Sequence, residues 1–239
     1  MKVLVFLCIV ISNGYSQVYP VWFLNPKESN CSSYGVGYCR SSIMKDSSFV
    51  QAFRYGCELM ARNQFVTVQG GEATWDTPHG SKDMGNNFEM VYDVTASDRI
   101  IGSHKIVQSY YTKSMTFVFF ADSNCTTFNL SDSVVNVSKL KAPEWTSKIP
   151  QDAQYFYALG QSRQYFYEFS SWKEAEENAV MSLAKMQNVL AQALVKKNDE
   201  TYSAIQDSKV DASLHNITIV GRWRDIPGEN FYVLARIKK

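Results

Sequence analysis

Tyr34-Gly35-Val36-Gly37-Tyr38-Cys39-Arg40 and Tyr157-Ala158-Leu159-Gly160-Gln161-Ser162-Arg163 share one pattern, a tyrosine first, a glycine fourth and an arginine seventh. The two stretches stand 123 residues apart. Working outward, Pro20-Val21-Trp22 and Pro143-Glu144-Trp145 stand 123 residues apart as well, and each is followed by a second proline, Pro26 or Pro150. The same offset carries Phe49 to Trp172, Ala52 to Ala175, Gly56 to Ala179 and Ala61 to Ala184. Further on the register slips, yet the halves close alike: Thr116-Phe117-Val118-Phe119-Phe120-Ala121 resembles Asn230-Phe231-Tyr232-Val233-Leu234-Ala235. A single match would carry nothing. A series at one offset and in one order is the mark of an internal repeat. The sequence therefore predicts two tandem modules, 17–121 and 143–239, joined by a linker over 122–142 that is rich in Ser, Asn and Val.

Each module reads as a short strand, one long helix and an antiparallel β-meander, so the expected fold class is α+β. The strands are placed near Tyr34–Gly37 and Tyr155–Leu159. The helix is clearer in the second copy. Ala175, Ala179, Leu183, Met186 and Leu190 recur at three- and four-residue steps, Ser170 or Ser171 can cap its start, and acids precede bases along it as the helix dipole favours. Ala52, Gly56 and Ala61, with their counterparts, predict close approach of helix to sheet, because a mid-helix glycine is costly unless packing needs it. Beyond the first helix, Phe65–Val68, Met90–Val94, His104–Tyr110 and Met115–Phe120 read as strands. In the second copy the final strands are Asn216–Trp223 and Asn230–Arg236, turning through Asp225-Ile226-Pro227-Gly228.

The N-terminus has the grammar of a secretory signal over 1–16: Lys2, an apolar run from Val3 to Ile11, then Gly14 and Ser16 before a cut at Gln17. The run is far short of the roughly 20 residues that span a bilayer, and no later stretch reads as transmembrane. Cys8 lacks the small residues that precede a lipid-modified cysteine. A net charge of +1 without a basic run argues against nucleic acid as a partner. Cys31, Cys39, Cys57 and Cys125 remain after cleavage. Export permits two disulfides of undetermined pairing, with buried free thiols as the alternative.

Few residues carry a chemical signature. His79, His104 and His215 are isolated, so neither metal ligands nor a cofactor are expected. No Gly-x-Ser-x-Gly occurs and no catalytic residues are assigned. A hydrolase built from convergent residues would need a serine or cysteine hydrogen-bonded to one of the three histidines. Gly35 and Gly37 lack the third glycine of a dinucleotide loop. Glu174, Glu176 and Glu177 read as a solvated helix start. The stretch Gly70–Asn87 reads as a long loop, and Trp75, Asp76 and His79 within it are the candidate binding residues. Sequons at Asn30, Asn124, Asn129, Asn136 and Asn216 keep a secreted eukaryotic glycoprotein as an alternative.

Taken together, Pro-x-Trp after a signal, Tyr-Gly-Val-Gly, a helix with Ala52, Gly56 and Ala61, and an aromatic last strand resemble the lipoprotein-20 family of Gram-negative envelope proteins. A related module occurs in flagellar assembly protein T. The resemblance extends over both halves, the second adding Trp223, Pro227-Gly228 and Phe231–Ala235. It implies a helix packed on an antiparallel sheet, action by association with other envelope proteins, and no catalytic residues. Gln17 stands where that family commonly carries its lipid-modified cysteine, which favours a free periplasmic or secreted protein. The expected function is thus a non-enzymatic scaffold or adaptor in the periplasm or cell envelope. The alternative is a small-ligand or glycan-binding protein using the Gly70–Asn87 loop or the cleft between modules.

Overall fold

The computed structural model describes residues 18–26, 33–77, 80–125, 130–196 and 208–239. The signal over 1–16, Cys31 and His79 lie outside them. The first half runs β1 (Val18–Pro20), α1 (Val21–Leu24), β2 (Tyr34–Arg40), α2 (Lys45–Gln64), β3 (Phe65–Thr77), β4 (Gly80–Val91), α3 (Thr95–Ser103), β5 (His104–Tyr111) and β6 (Met115–Asp122). After β7 (Val134–Asn136) and two single 3₁₀ turns come β8 (Tyr155–Arg163), α4 (Glu168–Lys196), β9 (Ser208–His215), β10 (Thr218–Asp225) and β11 (Asn230–Lys238). The fold is α+β with antiparallel sheets, as the sequence predicts.

The halves share a topology. The sheet orders are β2-β6-β5 and β8-β11-β10, so in each half the strand before the long helix pairs with the last strand, which lies in the centre. Gly37 pairs with Val118 and Gly160 with Val233. A Cβ on Gly37 would collide with the Ala52 carbonyl oxygen, and one on Gly160 with that of Ala175. These glycines let each helix lie directly on its sheet. Two further details coincide. The register of β5 on β6 breaks between Ile106 and Gln108, and that of β10 on β11 between Ile219 and Gly221, at the same point relative to the central strand. Such bulges are built features of a sheet. At each helix start, the N–H of Ser42 donates to Ser48 Oγ at 2.9 Å and that of Tyr165 to Ser171 Oγ at 2.8 Å. Ser171 therefore ties down the preceding loop, and α4 starts at Glu168 rather than at a Ser170 or Ser171 cap.

The pairing corrects the sequence match of the last strands by one residue. With Gly37 opposite Val118 and Gly160 opposite Val233, Thr116 corresponds to Phe231, not Asn230, and Phe120 to Ala235. A slip of one would turn every side chain to the other face.

The halves are also interlocked. β3 pairs with β4 on one edge and β9 on the other, giving a third sheet with strands from both halves. β1 pairs with β7, so the stretch read as a linker contributes a strand, and its Val137 is buried. One apolar core runs through both halves, joining Tyr19, Phe23, Tyr38 and Phe117 to Trp172 and Phe231. A second, smaller cluster lies under α2 and α3, around Cys57, Ile100 and Phe120.

Candidate functional site

The binding loop read from Gly70–Asn87 is a β-hairpin. β3 continues through Trp75 and Asp76, which pair with Lys82 and Ser81 of β4. The glycines suggested a break, but Gly70 sits inside β3 at φ +143°, where a side chain would strike the Asn87 carbonyl. Here glycine permits close strand pairing rather than a turn.

Of the cysteines, Cys39 and Cys57 are free and buried, so they form no disulfide. Cys125 is disulfide-bonded, and neither of those two is its partner. Burial pushes the Cys39 thiol up to about 11 and the Cys57 thiol up to about 12, which keeps both protonated and unreactive at neutral pH.

His215 packs on Phe65 with ring centroids 4.8 Å apart. His104 Nε2 lies 2.9 Å from Ser33 Oγ, while its Nδ1 lies 3.1 Å from the Ile100 carbonyl oxygen and 2.9 Å from Ser103 Oγ. The serine–histidine distance is that of a nucleophile and its base. The groups facing Nδ1 are neutral, however, and do not stabilise an imidazolium as a carboxylate does.

The acids of α4 are where the sequence reading is most corrected. Glu176, read as part of a solvated helix start, is fully buried. Its Oε1 accepts from Arg222 Nη2 at 2.6 Å and Nε at 2.9 Å, and its Oε2 from Arg62 Nη2 at 3.5 Å. Arg222 also donates to the Phe23 carbonyl at 2.9 Å and lies 4.7 Å over the Phe23 ring. Two turns earlier, Glu168 Oε1 accepts from Tyr19 Oη at 2.5 Å and Trp172 Nε1 at 3.3 Å, and its Oε2 from Ser114 Oγ at 3.2 Å. Arg224 Nη1 is 3.7 Å from Glu168 Oε2 and donates to Tyr19 Oη at 3.1 Å. Burial, then the Glu168 charge, hold the Tyr19 hydroxyl well above its ordinary range. β10 aims both arginines at one face because they are two apart, and α4 brings both carboxylates beneath them. An i, i+8 acid pair opposite an Arg-x-Arg strand was the available signal.

A cleft of about 350 Å³ opens beside Glu176 between the halves, where the sequence reading placed an inter-module cleft. Its walls include Gly35, Gly56 and Leu59 from the first half and Ile219 and Arg222 from the second. Glu176 and Arg222 already satisfy one another there, and the other polar side chains on the walls are Ser33, Tyr34, Asn63, Gln64, Asn216 and Thr218, of which Ser33 meets His104 and Asn63 Oδ1 accepts from Arg62. Across Leu59 lies a second cleft of about 450 Å³, lined by Tyr55, Arg62, Phe88, Lys173 and Glu177. Burial raises the Glu177 carboxyl above its usual range.

Among the described residues no group of His, Cys, Asp and Glu could hold a metal ion, and no helix is long and apolar enough to cross a membrane. No curated protein and no solved structure matches the chain. Residues 143–238 match the family model of the LPP20 lipoprotein, so the second half of the chain is similar to an exported envelope lipoprotein.

Proposed function

We propose that this chain is a non-catalytic protein of the Gram-negative envelope, exported to the periplasm, where it acts as a rigid scaffold or adaptor for other envelope proteins. The observation that carries this reading is how the two halves are joined. Buried ion pairs from α4 to β10 enclose the N-terminal strand and α1, and β3 and β9 share a sheet. A unit tied in this way presents fixed surface. Its buried acids are consumed by the arginines and by Tyr19, and its buried thiols are held protonated. The shared topology, bulge and serine hydrogen bond support descent of both halves from one duplicated module, the first having diverged beyond the match at 143–238. Kinship with the module of flagellar assembly protein T belongs to the same proposal.

The test is a pull-down from the native envelope fraction with the chain from Gln17 onward as bait. A stoichiometric envelope partner is the expected result, and a chain recovered alone counts against an adaptor. Labelling of Ser33 by a fluorophosphonate would overturn the non-catalytic part, since it needs an activated serine.

A second reading has the inter-half cleft take a small neutral polar ligand such as a glycan. The uncharged amides and hydroxyl around an apolar wall favour it. A panel of envelope glycans should then raise the melting temperature, and Asn63→Ala should abolish the rise. No shift with any of them removes this reading.

A further inference from the structure

We propose that the strand-to-helix loops of the two halves form a two-pronged tip that inserts into the surface of a lipid bilayer. Ile43 and Met44 end the β2–α2 loop, and Phe166 and Tyr167 end the β8–α4 loop, at the repeat offset of 123 residues. Ile43 is 101% exposed, Met44 75% and Phe166 83%, values unlike those of any residue in the core. Tyr165 and Tyr167 are exposed beside them. Scattered apolar residues on a surface are ordinary, but a cluster is not.

The fold brings both loops to one end of the molecule. The Arg40 guanidinium, at the mouth of the first loop, lies 4.0 Å over the Tyr167 ring of the second. Tyr111 Oη donates to the Ser42 carbonyl at 2.8 Å, and Ser114 Oγ, in the same β5–β6 turn region, donates to Glu168 at the start of α4. The turn between β5 and β6 therefore spans the two loops.

Two features select lipid over a protein partner. Side chains exposed to this degree lie bare of their own fold, and a bilayer surface takes them up without a shaped pocket on either side. The tip also combines aromatic and basic residues as the headgroup level of a membrane does. Arg40 lies on Tyr167, Lys45 lies 5.2 Å over the Tyr111 ring, and exposed Lys113 stands in the turn between the loops. Long basic side chains can lay their stems along the rings and hold their charge toward phosphate. Asp46, with Asp225 and Glu229 in the β10–β11 turn, keeps this end from being strongly cationic. Apolar insertion therefore drives the binding, and charge adds to it. Binding of this kind grows with the apolar area buried and with attraction to anionic lipid, so two prongs bind more tightly than one.

The reading builds on export to the envelope but not on any protein partner, so the pull-down and the following test can fail separately. The chain from Gln17 onward, which holds every described residue, is sedimented with vesicles of phosphatidylethanolamine and phosphatidylglycerol, and with phosphatidylcholine alone. Sedimentation with both is expected, more with the anionic mixture. Ile43→Ser with Phe166→Ser should lower the bound-to-free ratio at least tenfold at an unchanged melting temperature, since neither side chain is part of the core and the ring that Phe166 meets is that of exposed Tyr167. A polarity-sensitive dye on Ile43→Cys should shift to the blue on vesicles, the native free thiols Cys39 and Cys57 being buried. A wild-type chain left in the supernatant with both vesicles overturns the proposal, as does a double variant that binds equally well. Tip-dependent capture of an envelope protein without vesicle binding would assign the tip to that protein and overturn it too.

Discussion

The sheets under α2 and α4 solve one packing problem in two ways. Under α4 lie three buried alanines: Ala158 on β8, its pairing partner Ala235 on the central strand, and Ala179 on the helix. Under α2 the same three places hold Gly35, Gly56 and Phe120. A methyl on either glycine would run into the Phe120 ring, and one on Gly56 would also strike the backbone of Gly37. One large ring thus replaces three methyl groups, and a core of fixed density accepts the exchange only if all three positions change together. The lesson concerns two halves that share one topology and fill it with different side chains. Contact geometry held at Gly37 and Gly160 is maintained, while side-chain volume is redistributed around it.

A second contrast lies at the helix starts. Glu168 and Arg224 form a buried pair in the second half. Their counterparts are Lys45 and Tyr111, which meet as a cation over a ring near the surface. The second half needs the pair because the N-terminal segment, through Tyr19 and Phe23, covers that end of its sheet and excludes water.

The largest expected effect falls on the shared element. Gly37→Ala and Gly160→Ala should each cost more than about 3 kcal/mol, since the new methyl meets backbone rather than a movable side chain. Soluble yield and urea unfolding would read this, and a tolerant variant at one site would break the equivalence of the halves. Next, Arg224→Met should cost about 3–5 kcal/mol by leaving Glu168 buried with one cation fewer. Lys45→Met should cost under about 1 kcal/mol, as exposed cation–π contacts do. Equal losses in the two would refute the contrast in burial.

The ring-for-methyls exchange is sharpened by construction. Phe120→Ala alone should cost about 3–5 kcal/mol through the cavity it leaves. Adding Gly35→Ala to it should recover at least about 1 kcal/mol, although the same change in the wild-type background is destabilising; a methyl on Gly56 would still meet Gly37 Cα at 2.7 Å. Additive losses would show that the halves are packed independently of this triad. Smaller still, Cys39→Ser with Cys57→Val installs the residues of the second half, Ser162 and Val180, and should change the unfolding free energy read from urea denaturation by no more than about 1.5 kcal/mol.

The smallest effect concerns pH. The folded-state pKa of Glu177 is raised by burial, so folding favours its protonated form and stability falls as pH rises from the ordinary carboxylate range through the raised value. The side chain is 37% exposed, which limits the loss to a few tenths of a kcal/mol. Glu177→Gln should remove that slope from a stability-versus-pH curve, and an unchanged slope would place its origin elsewhere.

Much of the architecture was legible beforehand. The 123-residue offset located both first strands and both long helices, and Gly56 signalled the close approach of helix to sheet. α3 was missed because Thr95–Ser103 is short and adjoins strand-like residues on both sides. β9 was missed although Val210, Ala212 and Leu214 alternate with Asp211, Ser213 and His215, a period-two signal overlooked beside the long helix before it. At the candidate site, the cleft between the halves was expected, but Glu176 was assigned to solvent. A glutamate near other acids at a helix start carries no sign of burial until the arginines that neutralise it are known.

By itself, then, the sequence determined the local order: strand, helix and closing strands in each half, and the close helix-to-sheet approach that Gly56 signals. Those properties depend on residues near one another in the chain or at a constant repeat distance. The tertiary structure alone decided which half the N-terminal segment covers, which strand completes the third sheet, which acids become buried and that both exposed loops meet at one end. Each of these depends on pairs more than a hundred residues apart, such as Tyr19 with Glu168, Arg62 with Glu176 and Phe65 with His215. Long-range pairs of this kind obey no period, and only the closing of the chain into one core brings them together.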